Sequence, residues 1–100
     1  MMFQAIGVRE VEACLRRPYT LLIDLRTKEE YDMSHLEGAI NIPYEDLERY
    51  KKRLSKQNAY ILYCERGGSS LLAAKELSRE GYSIYTVIGG IRAWEDDRLN

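Results

Sequence analysis

The chain has 100 residues, the size of one domain, and 45% of them are hydrophobic. A chain of this length buries somewhat over about 60% of its unfolded surface, so we expect one hydrophobic core over residues 1–100 and no second domain. Acidic and basic residues nearly cancel to a net charge of -1, which argues against nucleic acid or an anionic lipid surface as a partner.

The apolar runs and the cysteine content bear on the cellular compartment, on membrane association and on metal binding. The longest apolar runs are strand-sized, and the N-terminus has neither the basic region nor the apolar stretch of a secretion signal. The two cysteines, Cys14 and Cys64, and the single histidine, His35, form neither a disulfide framework nor a zinc site. We therefore expect a cytoplasmic monomer with no membrane span and no bound metal.

The chain opens with a predicted strand followed by a predicted helix. The strand is the apolar run from Met2 to Ile6, and the helix carries a stripe formed by Val8, Val11 and Leu15 at helical spacing. Cys14 lies close to this stripe, and we interpret it as a structural side chain rather than a reactive one.

A second strand is predicted from Tyr19 to Ile23, and charged residues begin where it ends. Asp24 and Arg26 lie at this strand end, and Thr27 with Glu30 three residues on resembles a capping box for a short helix. Either one of the two charged side chains faces a crevice while the other makes an ion pair, or the two form a structural pair that supports a neighbouring loop. We favour the structural pair.

The middle of the chain predicts a turn, a very short strand and a helix. The segment from His35 to Pro43 contains the turn and the strand, and Pro43 suits the start of a helix that runs to Leu54. We interpret His35 as a turn residue hydrogen-bonded to the backbone, not as a general base.

The second half of the chain predicts a strand, a glycine turn and a helix, twice in succession. Tyr60 to Tyr63 is the first strand, and the helix after Gly67-Gly68 is closed by Gly81. The apolar stripe of this helix comprises Ser70, Ala73, Ala74 and Leu77. Alternation of this kind indicates an α/β fold with a parallel sheet between two helical layers.

The last predicted strand runs from Tyr82 to Ile88, and Gly89-Gly90 turns the chain into a terminal helix. We expect this helix to begin over residues 91–94 and to fray over residues 96–100. Trp94 is interpreted as a core residue, and Arg92 is expected to reach solvent near the crevice without a catalytic role.

The loop after the strand Tyr60 to Tyr63 carries the candidate chemistry. It reads Cys64-Glu65-Arg66-Gly67-Gly68-Ser69-Ser70, and ligands of open α/β sheets bind at this edge. Adjacent glycines let successive N–H groups converge on one anion, here the sulfur of Cys64. We expect these donors, the following helix and the Arg66 guanidinium to favour the thiolate, whereas Glu65 opposes it if its carboxylate is aimed at the sulfur.

Four segments of the sequence together resemble the rhodanese family over nearly the whole chain. They are Asp24-Leu25-Arg26, His35 to Pro43, Cys64 to Ser70, and Gly89 to Trp94. The resemblance implies a central, mostly parallel five-stranded sheet with helices on both faces. It also implies a catalytic cysteine at Cys64, a six-residue loop from Cys64 to Ser69, and no cofactor.

The function implied by the resemblance is sulfur transfer through a persulfide on Cys64. The donor would be thiosulfate or a persulfide, and the acceptor would be cyanide, a small thiol or a protein thiol. Many relatives have arginine where Ser69 stands, and an acidic Glu65 at the mouth should repel a dianion such as thiosulfate. The donor therefore remains open at this stage.

The loop sequence is also compared with two other kinds of function, phosphate-ester hydrolysis and a non-enzymatic sulfur relay or binding module. Cysteine phosphatases need arginine six positions after the cysteine and usually histidine before it, but Ser70 and Tyr63 stand at these positions, and the loop is one residue short. A persulfide relay or partner-binding module with little thiosulfate turnover is the stronger alternative.

Overall fold

The computed structural model describes residues 3–99, so Met2 of the predicted first strand and Asn100 of the terminal helix lie outside the described range. Within it, strands and helices alternate as predicted. The elements are β1 (Gln4–Ile6), α1 (Val11–Leu15), β2 (Thr20–Asp24), α2 (Lys28–Met33), β3 (Ile40–Asn41), α3 (Leu47–Tyr50), β4 (Ala59–Tyr63), α4 (Gly68–Arg79), β5 (Ser83–Val87) and α5 (Gly90–Leu99).

The strands form one five-stranded sheet in the order β1-β5-β4-β2-β3, and every neighbouring pair is parallel. This confirms the predicted α/β class and the five-stranded sheet. β4 lies in the centre, and all its side chains from Tyr60 to Tyr63 are at most 1% exposed. A central parallel strand is covered on both faces, which explains its uninterrupted apolar sequence.

Alternate side chains of β4 enter two separate cores. Tyr60 and Leu62 pack with Ala73 and Leu77 of α4 on one face, together with Cys64. On the other face, a second cluster is formed by Ile61, Tyr63, Val11, Cys14 and Ile91, so α1 and α5 cover this side. The two cysteines therefore lie on opposite faces of the sheet.

Two predicted element boundaries were wrong. Tyr19 is not in β2: it has a φ of 61° and is 77% exposed, and only its carbonyl, 2.8 Å from the Ala59 N–H, joins the sheet. The terminal helix does not fray at Asp96 but continues to Leu99. Its last turns are held by an ion pair between Asp97 and Arg9 at 2.9 Å.

The predicted helix from Pro43 to Leu54 is divided into three short pieces. A 3-10 turn at Tyr44–Asp46 leads into α3, and a second 3-10 turn at Lys51–Arg53 ends the segment. The predicted helix after β1 likewise begins with a 3-10 turn, Val8–Glu10, before α1. Among the helices of residues 3–99, none combines the length and apolar character that crossing a bilayer requires.

Candidate active site

The candidate site is the turn that connects the central strand β4 to the helix α4. Cys64 follows the last residue of β4 directly and is 5% exposed. Gly67 has a φ of 107°, a conformation that glycine adopts without steric cost. A Cβ at Gly67 would lie 3.1 Å from the backbone nitrogen of Gly89, so the two glycine turns pack against each other. α4 begins at Gly68, so the six-residue loop expected from Cys64 to Ser69 overlaps the first turn of this helix.

The sulfur of Cys64 accepts two hydrogen bonds from the backbone of this turn. The Gly67 N–H donates to Sγ at 3.1 Å, and the Ser70 N–H donates at 3.4 Å. The thiol in turn donates to the Ser70 hydroxyl at 3.6 Å. Two amide donors and the N-terminal end of a 12-residue helix therefore direct positive partial charge at the sulfur.

Ser70 is itself held by a residue from a different strand. The Thr86 hydroxyl, on β5, donates to Ser70 Oγ at 2.9 Å, and the Ser70 hydroxyl donates to the Gly67 carbonyl at 3.2 Å. Both side chains are at most 3% exposed. Thr86 was not predicted as a site residue, because β5 also contains the hydroxyls of Ser83 and Tyr85 and nothing in the sequence distinguishes Thr86 from them.

The N-terminus of α5 closes the loop from the other side. Its Ile91 N–H donates to the Cys64 carbonyl at 2.9 Å, and its Arg92 N–H donates to the Glu65 carbonyl at 3.1 Å. This close approach requires Gly90, because a Cβ there would lie 2.5 Å from the Cys64 carbonyl oxygen. The sequence predicted a turn at Gly89-Gly90 but not its contact with the loop.

Asp24 and Arg26 form the structural pair favoured from the sequence. Arg26 Nη2 lies 2.9 Å from Asp24 Oδ2, and the two side chains are 7% and 0% exposed. Burial disfavours the charged guanidinium, but the hydrogen bonds and charge of Asp24 outweigh it and raise the pKa of Arg26. The Tyr63 hydroxyl also donates to Asp24 at 2.6 Å, and burial followed by this hydrogen bond raises the pKa of Tyr63.

Glu65 is held between two guanidinium groups. Its carboxylate lies 3.6 Å from Arg26 Nη1 and 3.4 Å from Arg92 Nε. Arg26 therefore links the loop to β2, and Arg92 links it to α5. Because two cations face it, the Glu65 carboxylate is not the free negative charge that the sequence suggested. Arg92 was expected near the crevice, but its ion pair with Glu65 was not foreseen.

The remaining loop residues lie toward solvent. Arg66 is exposed, and its guanidinium makes no hydrogen bond or ion pair with any residue of the described range 3–99. Gly68 has open space around a hypothetical Cβ, so its place at the start of α4 does not require glycine. Ser69 is exposed and lines a cavity beside Cys64.

This cavity has a volume of about 480 Å³ and gives Cys64 access to solvent. Cys64, Glu65, Ser69 and Arg26 contribute to one part of the wall, and the start of α2 and the 3-10 turn before α3 contribute the rest. The volume lies within the range of roughly 300–1,000 Å³ found for sites of small organic molecules.

Two other residues singled out from the sequence lie outside the loop. His35 Nδ1 lies 2.8 Å from the Tyr31 carbonyl and its ring stacks on Tyr31 at 3.7 Å, so it is a turn residue bonded to backbone as predicted. Trp94, expected in the core, is only half-buried and packs at the edge of the second cluster. No group of three or more His, Cys, Asp or Glu side chains within residues 3–99 is arranged to hold a metal ion.

Comparison with known proteins agrees with the observed fold. The Rhodanese-like domain family matches residues 8–97. The chain is 26% identical over 96 residues to the thiosulfate sulfurtransferase GlpE of Coxiella burnetii, covering 95% of this chain and 90% of that protein. It is 27% identical over 93 residues to the GlpE of Tolumonas auensis, covering 92% of this chain and 88% of that protein.

Solved structures give the same result. A rhodanese-related protein from Thermoplasma volcanium superposes with a TM-score of 0.86 at 26% identity, covering 94% of this chain and 92% of that one. A rhodanese-like domain protein from Staphylococcus aureus superposes with a TM-score of 0.83 at 26% identity, covering 91% and 90%. Because the family match spans residues 8–97, this chain belongs to the family of rhodanese-like domains.

Proposed function

We propose that this protein is a sulfurtransferase that carries sulfur on Cys64 as a persulfide, in a reducing compartment such as the cytoplasm. The observation that carries the proposal is the position of Cys64 Sγ, which accepts the Gly67 and Ser70 N–H groups and lines an open cavity of about 480 Å³. A sulfur held by amide donors and accessible to a small molecule fits a nucleophile better than a core side chain.

The first step is attack by the Cys64 thiolate on the outer sulfur of the donor. With thiosulfate, a new S–S bond forms to Cys64 while the bond to the second sulfur breaks, and sulfite leaves as a dianion. With a persulfide donor R–S–SH, the leaving group is R–S⁻. In both cases the transferred sulfur is already at the oxidation level of a persulfide sulfur, so the step needs no oxidant or cofactor.

The loop backbone would stabilise charge during this transfer. The Gly67 and Ser70 N–H groups already engage Sγ, and the N–H groups of Arg66, Gly68 and Ser69 donate to no acceptor within residues 3–99. Donors at the start of a helix are suited to the negative charge that the outer sulfur carries. An acceptor such as cyanide or a thiol then removes this sulfur, and the Cys64 thiolate is regenerated.

The experiment that tests the proposal is sulfur loading followed by intact mass. The reduced protein is offered thiosulfate, glutathione persulfide or cysteine persulfide, and a mass increase of one sulfur that cyanide reverses is the expected result. Cys64→Ala should abolish the increase, while Cys14→Ala should retain it. Failure of every donor to load the protein, or equal loading of Cys64→Ala, would falsify the proposal.

The same experiment separates an enzyme for thiosulfate from a persulfide relay. Rapid loading by thiosulfate indicates an enzyme that uses thiosulfate. Loading by persulfides alone, with transfer to a thiol acceptor, indicates the relay, and the large cavity leaves room for such a donor. Both outcomes keep Cys64 as the sulfur carrier.

A further inference from the structure

The wall of the Cys64 cavity contains more acidic than basic side chains. The charged residues that line it are Arg26, Lys28, Glu29, Glu30, Glu45 and Glu65. The electrostatic attraction or repulsion of a charged donor depends on which of these side chains already has a partner of opposite charge. A paired charge contributes less to the field felt by a ligand.

Both cations of the wall are engaged. Arg26 is bound by Asp24 and Glu65. Lys28 Nζ lies 2.6 Å from Asp32 Oδ2, and this hydrogen bond, together with the charge of Asp32, raises the pKa of the ammonium. Each cation therefore already has a carboxylate partner, which reduces its contribution to the field felt by a dianion. Arg66, the cation of the loop that begins at Cys64, does not line the cavity.

Two of the carboxylates are engaged as well. Glu65 lies between Arg26 and Arg92. Glu30 accepts from the backbone N–H of Thr27 at 3.1 Å and closes the capping box of α2, and these hydrogen bonds lower its pKa.

The other two carboxylates, Glu29 and Glu45, have no direct bonding partner among the described residues, although the charge of Glu29 adds to the hydrogen bond and charge of Asp32 in raising the pKa of Lys28. Both are exposed, and neither makes a hydrogen bond or an ion pair with any residue in the range that the structure describes, 3–99. Tyr44 lies beside Glu45 in the same wall. Its phenol stays neutral, because burial and the charge of Glu76 raise its pKa. The wall therefore has four acidic and two basic side chains, and two of its carboxylates have no hydrogen bond or ion pair with any described residue and lie with an aromatic ring in the same cavity, a set of groups that favours a cation.

We propose that the donor at this site is a low-molecular-weight persulfide that carries an ammonium group, that is, the persulfide of a small aminothiol. This inference rests on the proposed function and specifies its substrate. The ammonium would lie near Glu29, Glu45 and Tyr44 while the outer sulfur faces Cys64. The cavity of about 480 Å³ is large enough for such a molecule and is larger than thiosulfate needs.

The chemistry of the leaving group agrees with this charge pattern. The Cys64 thiolate attacks the outer sulfur of R–S–SH, the new S–S bond forms, and the aminothiol leaves as R–S⁻ with its ammonium still attached. The departing molecule is thus a zwitterion with no net charge. Thiosulfate instead leaves sulfite, a dianion, in a cavity whose wall has four acidic and only two basic side chains, and this raises the energy of the transfer.

The test compares donors of different charge on wild-type protein and on the double variant Glu29→Gln/Glu45→Gln. The donors are cysteamine persulfide, 2-mercaptoethanol persulfide and thiosulfate, which carry an ammonium, a neutral hydroxyl and two negative charges. Sulfur loading of Cys64 is followed by intact mass at low ionic strength. For each donor, the rate of the variant is divided by the wild-type rate, so that differences in intrinsic reactivity cancel.

We expect the variant to load about threefold to tenfold more slowly from cysteamine persulfide and about threefold faster from thiosulfate, with the neutral donor nearly unchanged. The matched control is Glu37→Gln/Glu95→Gln. It removes two exposed carboxylates that do not line the Cys64 cavity, and its rates should lie within about twofold of wild type for every donor.

Salt dependence of the wild-type protein gives a second measurement that needs no variant. Added salt should slow loading from cysteamine persulfide and accelerate loading from thiosulfate. This inference is overturned if the ratio of variant to wild-type rate is the same for all donors, or if salt changes the rates with cysteamine persulfide and thiosulfate in the same direction. Cys64 remains the sulfur carrier in both cases. If no donor loads the wild-type protein at all, the proposed function itself fails.

Discussion

The two cysteines have almost the same exposure and opposite surroundings. Cys14 is 6% exposed and Cys64 is 5% exposed. Cys14 lies on α1 within the cluster that covers one face of the sheet, among Val11, Leu22 and other apolar side chains. Burial raises the pKa of its thiol, and the charge of Arg17 only partly opposes this. The proton is therefore held on Cys14.

Cys64, on the other face, has amide donors directed at its sulfur and a cavity beside it. The comparison shows that fractional exposure does not separate a structural cysteine from a nucleophilic one. What separates them is the surroundings of the sulfur. At Cys14, burial in a mostly apolar cluster outweighs the charge of Arg17 and the Tyr85 hydrogen bond. Two backbone N–H groups and a cavity instead face the sulfur of Cys64.

The largest expected effect is a difference in alkylation rate between the two thiols. With iodoacetamide at neutral pH, Cys64 should react on the order of a hundredfold faster than Cys14, because only Cys64 combines donors with access from the cavity. Peptide mapping by mass spectrometry assigns each site, and Cys14→Ala and Cys64→Ala give each rate alone. Comparable rates for the two thiols would mean that their different surroundings do not make Cys64 the more reactive cysteine.

A smaller effect is expected when the loop support is disturbed at Gly90. This residue has a φ of 64°, and a Cβ would lie 2.5 Å from the Cys64 carbonyl and 2.6 Å from the Glu65 carbonyl. Gly90→Ala should lower the free energy of unfolding by about 2–4 kcal/mol and shift the loop. The alkylation rate of Cys64 should then fall about tenfold toward that of Cys14, because the donors lose their alignment.

Gly81 provides the matched control for this substitution. It also has a positive φ, 96°, but a Cβ there would meet only the flexible end of Lys56, at 3.8 Å. Gly81→Ala should cost about 1–2 kcal/mol of stability from backbone strain and leave the alkylation rate of Cys64 unchanged. If both substitutions slow Cys64 equally, lost stability rather than loop geometry accounts for the effect.

A still smaller effect is expected at Thr86, which reaches the sulfur only through Ser70. Thr86→Val keeps the shape of the side chain but removes the hydroxyl that donates to Ser70 Oγ at 2.9 Å. We expect sulfur loading of Cys64 to slow about threefold to fivefold, because the loss of one hydrogen bond, about 1 kcal/mol, loosens Ser70. Thr86→Ser restores the hydroxyl and should restore the rate. A slow Thr86→Ser variant would contradict this positioning role.

The sequence predicted the sheet and the loop because both depend on local patterns. Strand-sized apolar runs and glycine turns specify β4, β5 and the turn after Tyr63, and the capping box of Thr27 and Glu30 is present as expected. Boundaries were less predictable. Tyr19 extends an apolar run but follows a proline and turns away from the sheet, and the last turn of α5 depends on Arg9, which is distant in sequence.

What the sequence did not predict are contacts between segments far apart in the chain. The Thr86–Ser70 hydrogen bond joins residues 16 positions apart, and the clamp on Glu65 joins Arg26 to Arg92. Taken singly, each of these residues is of a type that is common on a protein surface or in a strand, so its sequence position alone does not indicate the contact. Because Glu65 faces two guanidinium groups, the carboxylates of the cavity wall that have no hydrogen bond or ion pair within residues 3–99 are Glu29 and Glu45.

The smallest expected effect is a pH dependence of stability that arises from Cys14. An unfolded cysteine loses its proton near pH 8.5, about the free value, whereas burial raises the pKa of native Cys14 above it. Above pH 8.5 the unfolded state therefore releases a proton that the native state keeps. The stability contributed by the neutral thiol is complete below pH 8.5 and is lost as the pH rises toward the native pKa.

Urea unfolding under reducing conditions at pH 7.5, 8.5 and 9.5 measures this loss. The free energy of unfolding of the wild type should fall by up to about 1.4 kcal/mol per pH unit more steeply than that of Cys14→Ala. Cys64 and the tyrosines are present in both proteins, so their contributions cancel in the difference. Parallel slopes would mean that Cys14 ionises equally in both states, and the contrast between the two cysteines would then depend on access alone.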